Sequence, residues 1–141
     1  MKSLAPGAHH GSAVAFDEFG ILILGASGSG KSELALRLID KGACLIADDV
    51  VELDATLSLY KPKNGPTLLE IRKLGLFNAP VQERATLKLI VDLDSEEQMR
   101  LPPLRHTRIG DERVVLIAGK AIPNLDTILK HYVAYGRVDP D

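Results

Sequence analysis

The sequence predicts an α/β domain with more strand than helix and few crossover helices. Three observations predict it. An apolar run, Gly20 to Leu24, leads through a glycine-rich stretch into a helical pattern from Ser32 to Lys41. Short apolar runs bounded by turn residues recur along the rest of the chain. Only one further stretch, near the C-terminus, has apolar residues at helical spacing.

Taken in order, Met1 to Gly11 is rich in Gly, Ala, Pro and His and reads as a loose, flexible arm. Ser12–Phe16 alternates small and apolar residues and is expected to be a strand. A hairpin through Asp17-Glu18-Phe19-Gly20 would pair it with Ile21–Leu24. Ser32–Lys41 places Leu34, Ala35, Leu38 and Ile39 on one helical face, with Gly42 as the stop. Cys44–Ala47 reads as a buried strand ending at Asp48-Asp49, and Val50–Leu53 and Leu57–Tyr60 as short strands. Lys61 to Pro66 holds two prolines and Asn64-Gly65, which make a turn or loop. Leu68–Arg72 is a strand edge, and Leu74 to Glu83, with Gly75, Asn78 and Pro80, is expected to be irregular. Leu87–Leu93 and Arg113–Ala118 are strands, separated by a polar stretch and the break at Pro102-Pro103. Leu125, Ile128, Leu129, Tyr132 and Val133 share a helical face that Gly136 closes.

The totals narrow the function classes. A chain of 141 residues suggests one domain, 1–141, with a sizeable core. A net charge of −2 supplies no global basic field, so no nucleic-acid partner is expected. The local run of Arg100, Arg105, His106, Arg108 and Arg113 reads as a solvated, charged loop, with a phosphate or acidic-partner contact as the lesser reading. The single cysteine, Cys44, excludes an internal disulfide framework and is expected to be a buried structural thiol. No apolar stretch approaches transmembrane length, and the N-terminus lacks the apolar core of a signal peptide. A cytoplasmic location without a membrane partner is therefore the expectation.

Gly25-Ala26-Ser27-Gly28-Ser29-Gly30-Lys31-Ser32 spells the Walker A form G-x-x-x-x-G-K-[ST], in the strand–loop–helix context that gives it meaning. Glycines let the backbone turn sharply and bring N–H groups close to phosphate oxygens. The helix N-terminus adds partial positive charge at the same place. Lys31 is suited to reach the outer phosphates and the Ser32 hydroxyl to ligate Mg²⁺. The expected ligand is a nucleoside triphosphate, ATP or GTP.

Such a loop needs an acid to help hold Mg²⁺, and in many such proteins it ends an apolar strand. Leu45-Ile46-Ala47-Asp48-Asp49 and Leu89-Ile90-Val91-Asp92 both qualify, and pattern alone does not rank them. Chemistry favours the first. Two adjacent carboxylates at a strand end point different ways, so one suits the metal and the other suits taking a proton from an attacking hydroxyl. Aspartate is equally at home in a solvated turn, which is the reading taken for Asp92.

At this point the residues match a family. The run from Gly25 to Asp49, with Ser-Glu after the loop lysine, the Gly42 stop and the Ala-Asp-Asp ending, resembles the HPr kinase/phosphorylase family. His10-Gly11 falls where that family has a functional His-Gly. Leu69-Glu70-Ile71-Arg72 and Leu74-Gly75-Leu76-Phe77-Asn78 resemble its second signature. The resemblance covers roughly residues 9 to 93. It implies a mixed sheet with few helices, of the kind shared with phosphoenolpyruvate carboxykinase. It also implies transfer of phosphate from ATP, or from pyrophosphate, to a serine of an HPr-type phosphocarrier of the phosphotransferase system, and phosphorolysis in reverse. By position, Asp48 resembles the catalytic base, while Ser32, Asp49 and Glu70 resemble the metal group. Lys31 would neutralise the β- and γ-phosphates, Arg72 would bind phosphate or the transferring group, and His10 would orient a phosphate oxygen. Without the resemblance, Glu70 and Arg72 read as a surface ion pair.

The chain departs from the family in three places. It begins almost at the catalytic core, so regulation through the N-terminal domain of the longer members is not expected. Lys73 stands at the signature's second glycine, which makes that loop stiffer or more basic. After Ile122-Pro123, Asn124-Leu125-Asp126-Thr127 replaces the family's Pro-Val-Arg-Pro-Gly-Arg-Asn loop. The resemblance therefore supports the kinase direction more firmly than phosphorolysis or the hexamer of the long forms, and a homo-oligomer stays open. A small-molecule kinase of the same fold and a nucleotide-binding regulatory module are the competing readings.

Overall fold

The computed structural model describes residues 2–62 and 64–138. The strands are β1 (Gly7–Phe16), β2 (Phe19–Leu24), β3 (Cys44–Ala47), β4 (Val50–Leu53), β5 (Ser58–Tyr60), β6 (Leu69–Ile71), β7 (Gly75–Phe77), β8 (Arg84–Asp92), β9 (Arg105–Ile109) and β10 (Glu112–Ala118). The helices are α1 (Lys31–Asp40) and α2 (Leu125–Tyr135). The result is the strand-rich α/β architecture expected, with a mixed sheet and two helices.

The main sheet runs β2-β1-β4-β5-β8-β10-β9, with β3 on β1. Because β8 pairs with β5 through Arg84–Thr86 and with β2 through Thr86–Asp92, the sheet curls back on itself. β2, β8 and β10 are parallel neighbours, while the remaining pairings are antiparallel. The pleat sends alternate side chains to opposite faces. Ala13, Ala15, Leu22, Leu24, Leu59 and Ile90 fill one apolar cluster. Val14, Phe16, Ile21, Ile23, Leu89 and Val91 face the other, which α1 and α2 cover with Leu34, Leu38, Leu125 and Leu129. Burial on both faces is why Ile21–Leu24 reads as an unbroken apolar run rather than an alternating one.

A bulge resets the parity of β8. Gly20 pairs with Leu87 and the next residue, Ile21, pairs with Leu89, so Lys88 is the extra residue. Lys88 is exposed within an otherwise buried stretch, and Leu87 and Leu89 fall in different clusters although they are two apart.

α1 ends as its sequence predicts. Gly42 has φ 108°, its N–H donates to the Ile39 carbonyl at 2.9 Å, and Ala43 N–H donates to Leu38 at 3.1 Å. Those two bonds make the glycine-dependent helix stop.

Several expectations need correcting. The stretch expected to be a loose arm is tied down. Gly7 to His10 pair with β4, and Leu4 N–H donates to the Arg108 carbonyl at 2.9 Å. Backbone hydrogen bonds to a neighbouring strand need no apolar side chain, so small residues and histidines hid them. The basic run was read as a solvated loop, yet its centre is β9. There Thr107 and Ile109 are buried, while Arg105 and Arg108 are exposed. Arg105 is engaged by Glu97, at 2.6 and 2.9 Å. The stretch 74–83 contains β7, which pairs with β6 as a small separate ribbon. On α2, Ile128 is exposed, while Leu125 and Leu129 carry the packing. Cys44 is only partly buried. Among the described residues no helix is long and apolar enough to cross a membrane.

Candidate active site

The site grows from the end of β2. Beyond Leu24 the chain turns through the glycine-rich loop, closed by a Ser29 N–H to Ala26 carbonyl bond at 3.0 Å, and enters α1. Gly28 and Gly30 have φ 86° and 100°, a region that side chains resist. Gly30 is the N-cap, and no side chain caps the helix. The first N–H groups of α1 therefore face the loop with no side-chain acceptor, which is the arrangement that binds anions. Lys31 is buried, and its Nζ donates to the Gly25 and Ala26 carbonyls at 2.8 and 2.9 Å. The ammonium is thus held at the loop itself.

β3 delivers the acids. Asp48 accepts from Ser32 Oγ, at 3.0 Å to Oδ1 and 3.1 Å to Oδ2. It also accepts from Ser12 Oγ at 2.6 Å and from the Glu70 backbone N–H at 3.0 Å. Three donors around one carboxylate fix its position. Asp49 is different. It takes the left-handed conformation, φ 74°, in the turn between β3 and β4. Its carbonyl accepts from Gly11 N–H at 3.0 Å, and its side chain is 79% exposed. His10 Nδ1 lies 3.3 Å from Asp49 Oδ1. Of the neighbouring histidines only His10 reaches this site, since successive strand residues face opposite ways and His9 Nε2 lies 2.6 Å from the Ala5 carbonyl.

The ribbon of β6 and β7 supplies the last wall. Arg72 extends over the loop, with Nη2 donating to Ser27 Oγ at 2.9 Å. A Cβ on Gly28 would stand 3.4 Å from Arg72 Nη1, an ordinary contact, so it is the positive φ and not the guanidinium that calls for glycine here. Arg72 therefore reaches Ser27, and the surface ion pair with Glu70 is not the contact formed. Lys73 occupies the next turn position with φ 71°, the conformation that a glycine adopts without strain.

Together these residues line one cleft of about 140 Å³. It gathers His10, Ser27, Gly28, Gly30, Lys31, Ser32, Asp48, Asp49, Glu70 and Arg72. Gly25, Ala26 and Ser29 form the loop's far side. The other candidate acid, Asp92, is not in a solvated turn: it is the buried last residue of β8. Its carboxylate accepts from Asp94 N–H at 2.9 Å and Ser95 Oγ at 2.7 Å and so shapes the turn that follows. Within the Asp48-Asp49 pair, Ser32 is bonded to Asp48, and the left-handed turn at Asp49 carries the second carboxylate away from it.

Sequence reasoning missed two supporting residues. Ser12 is fully buried in a strand of apolar and small residues, and a buried hydroxyl there needs a partner. Asp94 accepts the Ala26 N–H with both carboxylate oxygens, at 3.1 and 2.9 Å, and so anchors the loop from the end of β8. Nothing in the local pattern separates Asp94 from the other acids of its polar stretch.

The donor chemistry here suits Mg²⁺. Ser32, Asp48 and Glu70 offer only oxygen, and this ion takes one or two carboxylates with substrate phosphates and water completing its shell.

Comparison with known proteins bears on the family and the fold. The family model described as HPr serine kinase C-terminal domain matches residues 2–129. An HPr kinase/phosphorylase of Bordetella pertussis is 39% identical over 127 residues, covering 77% of this chain and 41% of the relative. One from Geobacillus kaustophilus is 38% identical over 137 residues, covering 88% of this chain and 43% of the relative. The chain thus spans less than half the length of these curated relatives. A solved structure, the Hpr(Ser) kinase/phosphatase of Coxiella burnetii, superposes with a TM-score of 0.76 at 28% identity, covering 90% of this chain and 88% of that one. With its cleft and its fold both accounted for, the chain belongs to the HPr serine kinase C-terminal domain family.

Proposed function

We propose that this chain is a catalytic unit that transfers the terminal phosphate of ATP to a serine of an HPr-type phosphocarrier protein. The observation that carries the proposal is the convergence, in one cleft, of a lysine-bearing phosphate loop, a serine-bound aspartate and a second, exposed aspartate. Phosphoryl transfer asks mainly for positioning and charge compensation, and this cleft is built for both.

The roles divide by geometry. Ser32 and Asp48, with Glu70 beside them, would hold Mg²⁺. Such an ion would supply charge neutralisation to the triphosphate. Lys31 exchanges its loop carbonyls for phosphate oxygens and compensates their charge. Arg72, already over Ser27, flanks the group in transit. Asp49 takes the proton of the incoming serine hydroxyl, since it is the acid left open to an acceptor, and in the reverse direction it returns that proton. His10 sits against Asp49 and fixes where its carboxylate points. This assignment exchanges the roles expected for the two aspartates. Asp48 is already committed to the hydroxyls of Ser12 and Ser32, while Asp49 faces solvent.

Incubating the folded chain with an HPr-type protein and γ-labelled ATP tests the proposal. Label on a serine of the partner is the expected result. Transfer to a small metabolite with the phosphocarrier inert would replace the substrate, and nucleotide binding without turnover would leave only a regulatory module.

A further inference from the structure

We infer that the nucleoside of the donor lies on the far side of the phosphate loop, in a groove between the start of α1 and the turn that follows β10. The inference rests on the kinase reading above and adds a subsite to it.

β2, β8 and β10 run parallel, and their final residues Leu24, Asp92 and Ala118 stand in register. In sheets of parallel strands, ligands sit beyond the carboxyl ends of the strands. The acids and His10 come from β1, β3 and the β3–β4 turn, all on one side of β2. A triphosphate with its terminal phosphate toward those acids must direct its other end toward β8 and β10. A second cavity of about 200 Å³ lies there, and it shares Gly30 and Glu33 with the phosphate cleft.

The walls of this cavity suit a flat heterocycle. Leu34, Leu93, Ile122 and Leu125 are apolar, while Arg37 and Lys120 stand among them as the cations. Apolar walls with a few placed polar groups are the usual composition of a small-molecule site. Ser29 also lines it, and its Oγ is buried without a hydrogen-bond partner among the described residues. A buried hydroxyl of that kind calls for a partner, and a nucleoside in this groove supplies acceptors for it.

ATP and inorganic tripolyphosphate share their phosphates and differ in the nucleoside, so their binding separates the groove from the loop. Ala121 is exposed and lines the groove, so Ala121→Trp adds bulk there. The variant is expected to bind ATP at least about ten-fold more weakly, the scale of a lost apolar contact, with tripolyphosphate affinity unchanged. Photolabelling by 8-azido-ATP is expected to mark residues 33–37 or 119–122. Unchanged ATP binding, an equal loss of both ligands, or label placed elsewhere overturns the inference. A wild-type chain that binds tripolyphosphate as tightly as ATP overturns the groove alone. A wild-type chain that binds neither overturns the kinase reading from which the inference starts.

Discussion

Ser32 donates its hydroxyl to both carboxylate oxygens of Asp48, at 3.0 and 3.1 Å. That contact joins the glycine-rich loop to the end of β3 and decides which of two neighbouring acids stands with the Ser32 hydroxyl. Asp49, one residue on, is turned out by its left-handed backbone and meets His10 instead.

The two aspartates should therefore fail differently. Asp49→Asn is expected to slow transfer by about 10²–10⁴-fold, the usual contribution of a general base, with ATP affinity retained. Asp48→Asn is expected to weaken Mg²⁺-dependent ATP binding, and excess EDTA should imitate it on the unmodified chain. Calorimetry and single-turnover transfer separate the two effects. If Asp48→Asn spares binding and Asp49→Asn abolishes it, the assignment is reversed.

Ser12 gives Asp48 its shortest bond, 2.6 Å, from a fully buried position. Ser12→Ala should cost about 1.5–3 kcal/mol, the range for a hydrogen bond to a charged group. Two other donors remain on Asp48, so the fold should survive. Urea denaturation monitored by circular dichroism measures the loss, and an unchanged midpoint would mean that the bond contributes nothing net.

Lys73 holds φ 71° in the turn between β6 and β7. A side chain in that conformation costs roughly 1–2 kcal/mol, whereas a glycine there gives back about 0.4–1 kcal/mol through a freer unfolded chain. Lys73→Gly should therefore raise stability by a few tenths to about 1 kcal/mol, by the difference of those terms. A lower melting temperature would show that the lysine makes contacts worth more than its strain.

Glu97 offers a pH test away from the site. Its carboxyl is pulled down to about 2, first by the Arg105 guanidinium that donates to both its oxygens and then by the Met99 N–H. Arg105 is correspondingly raised by Glu97. A carboxylate depressed on folding stabilises the folded state above its unfolded value, and that stabilisation disappears as pH falls through the folded value. The Glu97 resonance should titrate near 2, and Arg105→Ala should return it toward the ordinary 4.5. An ordinary midpoint in the unmodified chain would show that the pair does not persist in solution.

Much of this site was legible before any fold was known, and for a physical reason. The phosphate loop, α1, β3 and the acid pair are contiguous, and each depends on local chemistry. Gly28 and Gly30 take conformations that side chains resist, Gly42 stops a helix, and the apolar run of β3 ends at a charge. Local rules do not reach across the chain. They left β9 looking like a solvated basic loop, because its inward Thr107 and Ile109 are too few to outweigh its arginines. They also left the first eleven residues looking unattached, because strand pairing is a property of the partner as much as of the residue.

By itself the sequence determined that this chain carries the Walker A motif, a nearby pair of carboxylates and the outline of a strand-rich α/β domain. The tertiary structure decided the rest. It brought His10 and Arg72 to the loop from distant segments, reserved Asp48 for Ser32 and left Asp49 open. The reason is that backbone register and the left-handed turn at Asp49 aim these side chains, and register depends on a partner strand as much as on the residues it aims.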